Sequence, residues 1–164
     1  GYQLNRYILE TDEEYLKSFC QISDDFGINP NKIELELTET YIMENYELAI
    51  ENVAQLKKFG FFIALDDFGT GYSSLSYLKY FQLDKLKIDK SFIDGFLDDK
   101  NDEAIVKAVI QLAKIFNLEV QAEGVEQKEQ VDKLIDLECD YFQGYYYAKP
   151  MDFSSFLEFI QGQA

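Results

Sequence analysis

Paired aspartates followed by a glycine-containing loop form the segment of this chain that could most directly do chemistry. Residues 63–73 read IALDDFGTGYS, so an apolar run ends at Asp66 and Asp67 and continues into Gly69 and Gly71. A buried parallel strand can deliver metal ligands to the rim of a sheet in this way. The chain contains no histidine. A metal site built here would therefore be rich in carboxylates, which favours Mg²⁺ or Mn²⁺ over zinc.

Three further apolar segments end in ionisable side chains in the same manner. They are ELTET, KLKIDKSFI and QAEGVE, and their ionisable residues include Glu36, Glu39, Lys87, Asp89, Glu123 and Glu126. Taken singly, each side chain fits a solvated strand face or the first turn of a helix. Together, several carboxylates on one rim would hold two divalent ions about 4 Å apart, beside a lysine that could position or polarise an attacking water. The set predicts metal-assisted hydrolysis of a phosphate ester.

Composition limits the partners of such a site. The chain has 164 residues, is 47% hydrophobic and carries a formal net charge of −16. These values predict one globular domain with a substantial core. The excess of acidic residues argues against binding to a nucleic acid polymer or directly to an anionic membrane, because both need clustered Lys and Arg. Bound cations would have to offset local carboxylate charge before an anionic substrate could approach.

The cysteines and the hydropathy pattern predict a cytoplasmic environment. Cys20 and Cys139 have no metal-binding spacing and are expected to be reduced thiols. No apolar run is long enough to span a bilayer, and the N-terminus carries no secretory signal. We expect a cytoplasmic domain, or the cytoplasmic portion of a longer and membrane-attached protein.

Apolar periodicity predicts alternating strands and helices. The predicted strands cover residues 2–9, 33–37, 61–65, 85–88, 118–122 and 140–147. The predicted helices cover residues 12–26, 45–59, 73–80, 102–116, 127–137 and 153–161. Asn101 is the predicted N-cap of the 102–116 helix. Such alternation implies a parallel sheet, either doubly wound or closed into a barrel.

Two observations favour the barrel. No glycine-rich dinucleotide fingerprint follows a strand, and acidic groups follow several strands, as they do on the strand C-terminal face of a (β/α)₈ barrel. A complete barrel takes about 250 residues, so we expect the missing third to precede residue 1.

Five strings in the chain carry a family resemblance. ELTET, DDFGTGYSSLSYL, KIDKSFI, AEGVE and QGYYYAKPM, in this order and spacing, resemble the EAL-domain family of bacterial cyclic di-GMP phosphodiesterases. The resemblance implies that residues 1–164 are a single, partial EAL domain. Its fold would be α/β, a modified TIM (β/α)₈ barrel with one reversed strand, whose first strand and helix are missing from this chain.

The same resemblance implies an activity and its partners. The family hydrolyses cyclic di-GMP to linear pGpG in second-messenger signalling, using two Mg²⁺ or Mn²⁺ ions, and Ca²⁺ is expected to inhibit it. A parent protein could carry fused sensory or GGDEF (diguanylate cyclase) domains. Because a barrel without its first strand leaves two open edges, we expect this chain to form a homodimer through that gap or to be marginally stable.

Position by position, the resemblance assigns roles to individual residues. The residues that resemble metal ligands are Glu36, Asp66, Asp67 and Glu123. Lys87 resembles the lysine that holds or activates the nucleophilic water, with Asp89 and Glu126 as supporting groups. Glu39 resembles the glutamate that anchors the loop over residues 67–75, whose closure completes the metal site.

One residue matches the family at the rim of the active site, and two parts of the family pattern are not matched. Gln143 falls on the glutamine of the family's QGY string, in that rim. The signature Glu-Ala-Leu string, expected on the first strand, is absent from the 164 residues. Where the family has an asparagine ligand, residues 3–7 read QLNRY, which leaves Gln3 or Asn5 at that position. We therefore expect weak or no activity from this chain alone. A second interpretation also stays open, a degenerate EAL domain that is a cyclic di-GMP receptor or a protein-interaction module.

Overall fold

The computed structural model describes residues 2–3, 17, 21–23, 25–44, 46–69 and 77–162. The strands among them are β1 (Tyr2–Gln3), β2 (Glu34–Thr38), β3 (Phe62–Phe68), β4 (Lys85–Ile88), β5 (Glu119–Glu123) and β6 (Tyr141–Gln143). The helices with defined bounds are α1 (Glu39–Glu44), α2 (Tyr46–Phe59), α3 (Lys90–Gly95), α4 (Lys100–Phe116), α5 (Lys128–Asp136) and α6 (Phe153–Gly162). Short 3₁₀ turns cover Pro30–Lys32 and Tyr77–Lys79.

The six described strands form one parallel sheet in chain order. Each strand pairs with the next one along the chain, from β1 to β6. A doubly wound sheet would reverse its strand order at a switch point, whereas a barrel keeps the order of the chain. The predicted barrel architecture is therefore confirmed.

Alternation along the strands separates an apolar face from a polar one. Leu35 and Leu37 of β2 and Leu86 and Ile88 of β4 are almost fully buried in one core cluster with apolar residues of the helices. Burial of each such side chain stabilises the fold by about 1.5–3 kcal/mol. The positions between them project to the opposite face. On that face the chain has polar side chains where a barrel usually has layers of bulky apolar ones. These polar side chains include Glu34, Glu36, Lys85, Lys87 and Gln121.

Several predicted element bounds differ from those observed. The strand predicted over 61–65 continues to Phe68, so both aspartates belong to β3 and do not follow it. The helix predicted over 45–59 is α2, which is preceded by the separate helix α1, and α3 was not predicted. The predicted N-cap Asn101 is wrong, because the Asp99 carboxylate accepts the backbone N–H of Asn101 at 2.7 Å and caps α4. Much of the segments predicted over 2–26 and 73–80 lies outside the described residues.

The C-terminal part of the described chain keeps apolar side chains exposed. No residue of α6 is buried, and four of its large apolar side chains are exposed: Phe153, Phe156, Leu157 and Ile160. The strands β1 and β6 each pair with one neighbour within the described sheet. Among all the residues that the structure describes, no helix has the length and apolar character needed to cross a membrane.

Candidate active site

A buried lysine joins carboxylates from three strands. The Lys87 Nζ atom in β4 lies 2.8 Å from Glu36 Oε1 in β2, 3.1 Å from Asp66 Oδ1 in β3 and 2.7 Å from Glu123 Oε1 in β5. The Lys87 side chain is only 3% exposed. An isolated ammonium would be costly to bury at this depth, so the three carboxylates are what allows it. The structure thus brings together four residues that the sequence placed on separate strands.

The cluster carries more negative charge than its lysine offsets. Burial by itself lowers the pKa of Lys87, but its hydrogen bonds to Glu123 and Glu36 outweigh this and raise the pKa above its ordinary value. Burial raises the pKa of Glu123, and the Lys87 ammonium acts in the opposite direction. By formal charge, the three carboxylates and one ammonium of this cluster sum to −2. Such a cluster favours the approach of further cations.

Asp67 occupies an irregular position at the end of β3. Its backbone φ is +54°, in the left-handed region that a non-glycine residue seldom adopts. The register between β3 and β4 shifts between Leu65 and Phe68, as it does at a β-bulge. Burial raises the pKa of the Asp67 carboxyl, and the charges of Asp66 and Asp89 raise it further. The bulge re-aims Asp67 relative to a regular strand, and strain of this kind clusters at functional sites.

The donor chemistry of these carboxylates fits a hard divalent cation, as predicted for Mg²⁺ or Mn²⁺. Within the described residues, however, no group of three or more Asp, Glu or Cys side chains is arranged as a metal site as it stands. The Lys87 ammonium lies where three of the carboxylates converge. A cation bound to these oxygens would therefore share them with Lys87. Of the two other predicted ligand positions, Gln3 pairs in register with Glu36, and Asn5 lies outside the described residues.

Glu39 meets the beginning of the glycine loop. This first residue of α1 is 2% exposed, and its Oε2 atom accepts the backbone N–H of Gly69 at 3.3 Å. Gly69 has a φ of +97°, and a Cβ there would lie 3.2 Å from the Phe92 ring. The rest of the loop, residues 70–76, lies outside the described part of the chain.

The two predicted supporting groups have other partners. The Asp89 carboxylate caps α3 by accepting the backbone N–H of Ser91 at 3.0 Å. Glu126 pairs with the Lys90 ammonium at 2.6 Å, and both side chains are half exposed. Among the described ion pairs, neither carboxylate contacts Lys87. The α5 helix begins at Lys128, so Glu126 precedes the helix and is not in its first turn.

The AEGVE and QGY strings are in close contact, which their separate positions in the sequence do not indicate. The Val125 backbone N–H donates to the carbonyl of Gln143 at 3.0 Å, and the Val125 carbonyl accepts from Tyr146 N–H at 3.0 Å. A Cβ on Gly144 would lie 2.0 Å from the Val125 carbonyl oxygen. Only glycine fits there, and the glycine that follows the rim glutamine was the available signal.

Gln143 lies at the rim next to the carboxylate cluster. It pairs in register with Glu123 on the neighbouring strand. Its side-chain Oε1 atom accepts a hydrogen bond from Gln121 Nε2 at 3.0 Å. Gln121 is buried and was not singled out from the sequence, because a glutamine inside an apolar strand gives no motif of its own.

Comparisons with known proteins identify relatives of this chain. A cyclic di-GMP phosphodiesterase, PdeA of Borreliella burgdorferi, is 45% identical over 116 residues, which are 71% of this chain and 17% of PdeA. The bifunctional diguanylate cyclase/cyclic di-GMP phosphodiesterase MucR of Pseudomonas aeruginosa is 41% identical over 125 residues, 76% of this chain and 18% of MucR. The chain thus spans less than a fifth of the length of either relative.

Solved structures are similar to this chain over a larger part of its length than these two relatives. The PaMucR phosphodiesterase in its c-di-GMP complex has a TM-score of 0.88 and 34% identity, covering 94% of this chain and 62% of its own. BlrP1 of Klebsiella pneumoniae, in a manganese/cy-diGMP complex, has a TM-score of 0.83 and 29% identity, covering 90% of this chain and 38% of its own. The family model for the EAL domain matches residues 9–150. The chain belongs to the EAL-domain family, whose named members include cyclic di-GMP phosphodiesterases.

Proposed function

We propose that this chain supplies most of a site that hydrolyses cyclic di-GMP to linear pGpG with two Mg²⁺ or Mn²⁺ ions. The observation that carries the proposal is the convergence of Glu36, Asp66 and Glu123 on Lys87 at one edge of a parallel sheet. Relatives that match the chain include named cyclic di-GMP phosphodiesterases and a manganese complex of BlrP1. With Asp67 beside them, these side chains form the cation-binding part of the proposed site.

Lys87 would orient the water that attacks phosphorus. An ammonium has three N–H donors and no acceptor, and in this structure it has three carboxylate partners. Releasing one of those partners frees an N–H to hold a water oxygen. Divalent cations, when bound, supply positive charge that offsets the carboxylates and the substrate phosphate. Glu39 would fix the first turn of the glycine loop through Gly69, and Gln143 would contact substrate at the rim.

Asp89 and Glu126 take indirect roles in this proposal. Asp89 caps α3 and acts on Asp67 through its charge. Glu126 holds the Lys90 ammonium, which also pairs with Asp94. Gln3 or Asn5 would contribute the remaining oxygen ligand.

Chromatographic measurement of cyclic di-GMP turnover tests the proposal. The chain should be assayed with Mg²⁺ or Mn²⁺, together with a version extended upstream by about 80 residues to the roughly 250 residues of a complete barrel. We expect pGpG from the extended version, loss of product in Asp66→Asn, and inhibition by Ca²⁺. Asp132→Asn is the matched control, because Asp132 is exposed on α5 and pairs only with Lys128 among the described ion pairs. Absence of pGpG from both versions would contradict the hydrolytic proposal.

A receptor without hydrolytic activity is the second candidate function. It is favoured by the arrangement of the carboxylates. No cluster among the described residues is arranged to hold a metal as it stands, and Lys87 occupies the centre of the carboxylate cluster. Binding of cyclic di-GMP without product, in the chain and in its extended version, would support the receptor. Absence of both binding and product would leave protein interaction as the function of the domain.

We also propose a homodimer and a multidomain parent protein in the cytoplasm. Within the described sheet β1 and β6 each pair with one neighbour, and this, together with the exposed apolar side chains of α6, supports self-association. MucR combines two activities in a longer protein, which supports fused GGDEF or sensory domains. Light scattering of the purified chain should give the mass of two copies, and a stable monomer with a high unfolding midpoint would contradict the dimer.

A further inference from the structure

We propose that Lys85 is a positioning residue that fixes the amide orientation of Gln143 through Gln121. The consequence is that Gln143 presents its NH₂ group, and not its carbonyl oxygen, to a bound ligand. The part of this inference that concerns cyclic di-GMP rests on the proposed function. The orientation of the amides does not.

The hydrogen-bonded chain from Lys85 through Gln121 to Gln143, called the relay below, begins at a second buried lysine on the polar face of the sheet. Lys85 Nζ lies 2.6 Å from Glu34 Oε2 and 3.4 Å from Gln121 Oε1. Lys85 is 6% exposed, and its ammonium stands over the rings of Phe62 and Tyr141, 5.3 and 4.5 Å from their centroids. These contacts hold the lysine in place two residues before Lys87, on the same face of the sheet and nearer to the N-terminal end of β4 than the carboxylate rim.

Hydrogen-bond chemistry fixes the polarity of each step. An ammonium can only donate, so the Gln121 atom that faces Lys85 must be the carbonyl oxygen. The other end of that amide is then NH₂, which must donate to Gln143, at the observed 3.0 Å. The Gln143 atom that receives it must be Oε1, so the Gln143 NH₂ is directed away from Gln121. Exchanging O and N in either amide would put two donors or two acceptors face to face.

The orientation matters because the rim neighbours of Gln143 are acceptors. Glu123, its register partner, is a carboxylate, and an anionic ligand at this rim would bring phosphate oxygens. Cyclic di-GMP also carries guanine O6 and N7, which accept hydrogen bonds. A Gln143 NH₂ complements such a ligand, whereas a Gln143 carbonyl oxygen would oppose it. The relay therefore selects for acceptor-bearing ligands.

Two variants test the relay, and neither changes the net charge. Glu34→Met/Lys85→Met removes the relay by replacing an ion pair with apolar groups. Lys85→Arg is the control, because it keeps a side chain that can only donate. Side-chain amide signals of Gln121 and Gln143, in ¹H–¹⁵N spectra of the full 164-residue chain, are assigned by single changes to Glu. We expect Lys85→Arg to keep the wild-type signals and the double variant to shift both amides. An unmoved Gln143 amide in the double variant would overturn the relay.

Ligand binding is measured on the same proteins by calorimetry with cyclic di-GMP and Ca²⁺. We expect the double variant to bind about threefold to tenfold more weakly, the loss of one oriented hydrogen bond, and Lys85→Arg to restore wild-type affinity. Equal affinity in all three proteins, with shifted amides in the double variant, would overturn the role of Gln143 as a donor to the ligand. If cyclic di-GMP binds neither these proteins nor the version extended upstream, while the amide signals behave as expected, the proposed function fails and the relay stands.

Discussion

Lys87→Met tests whether the carboxylate cluster is held together by its ammonium. The substitution removes the positive charge and leaves Glu36, Asp66 and Glu123 buried at 8%, 4% and 18% side-chain exposure. Removing one partner of a buried ion pair costs about 3–5 kcal/mol, because the remaining charge stays desolvated. We expect the free energy of unfolding in EDTA at pH 7 to fall by about this amount.

Divalent cations should reverse part of that loss. In the proposed site Mn²⁺ would bind the carboxylate oxygens that contact Lys87, so it should stabilise Lys87→Met more than it stabilises the wild type. At a Mn²⁺ concentration 100 times the dissociation constant, the added stability is about 2.7 kcal/mol. The assay is urea unfolding followed by circular dichroism, with and without Mn²⁺, which requires no catalytic activity.

The control substitution is Lys107→Met on the surface of α4. Lys107 pairs with Glu103 one turn away at 2.5 Å, and both side chains are solvent-accessible. Exposed pairs contribute little to stability, so the urea midpoint should hardly change in this variant. If Lys87→Met stays within about 1 kcal/mol of the wild type in EDTA and does not respond to Mn²⁺, the ion-pair account of the cluster is refuted.

Three further substitutions or labelling experiments examine the surroundings of the site. In urea unfolding, Gly144→Ala should destabilise the chain by about 2–3 kcal/mol, because the added Cβ meets the Val125 carbonyl. The control Gly162→Ala has open space around its Cβ and should be neutral or stabilising in the same assay. Burial raises the pKa of the Cys139 thiol to about 11. In a variant with Cys139 as its only cysteine, iodoacetamide at pH 8 should therefore react with the folded chain more than a hundredfold more slowly than with the urea-unfolded chain. Equal rates would contradict the burial of this thiol. Gln130→Ala should cost about 2–3 kcal/mol, because the buried amide accepts two backbone N–H groups before α5 and donates to a carbonyl in α3. Gln130→Glu should also destabilise the chain, because a carboxylate cannot donate to that carbonyl, and a Gln130→Ala midpoint equal to wild type would argue against this bridge.

The local pattern of the sequence was sufficient for the architecture. Period-two apolar runs placed β2, β4 and β5 to within a residue or two, since a strand buried on one face requires that alternation. The regular succession of strands and helices indicated a parallel barrel, and the sheet order agrees. The bounds failed where a single side chain decides them. Asp99 and Asn101 are both good caps, and which carboxylate or amide reaches the helix N-terminus depends on the path of the preceding turn.

The site was predictable as a set of residues but not as a network. Motif strings identified Glu36, Asp66, Glu123 and Lys87, because the order of motifs along a chain is visible in the sequence. Their distances depend on registers between strands whose paired residues are 20 to 34 positions apart, and no local pattern encodes those registers. The left-handed backbone of Asp67 and its bulge have the same origin, because they arise from how β3 meets β4.

The sequence by itself determined the carboxylate-rich chemistry, the acidic charge and the barrel of alternating strands and helices, since these follow from residue types and their spacing. Only the tertiary structure decided that Lys87 closes on three carboxylates, that Glu126 pairs with Lys90, and that Lys85 reaches Gln121. Which partner a charged side chain takes is a matter of a few ångströms and of burial, because the attraction between charges strengthens as water is excluded. Those distances exist only once the strands have paired.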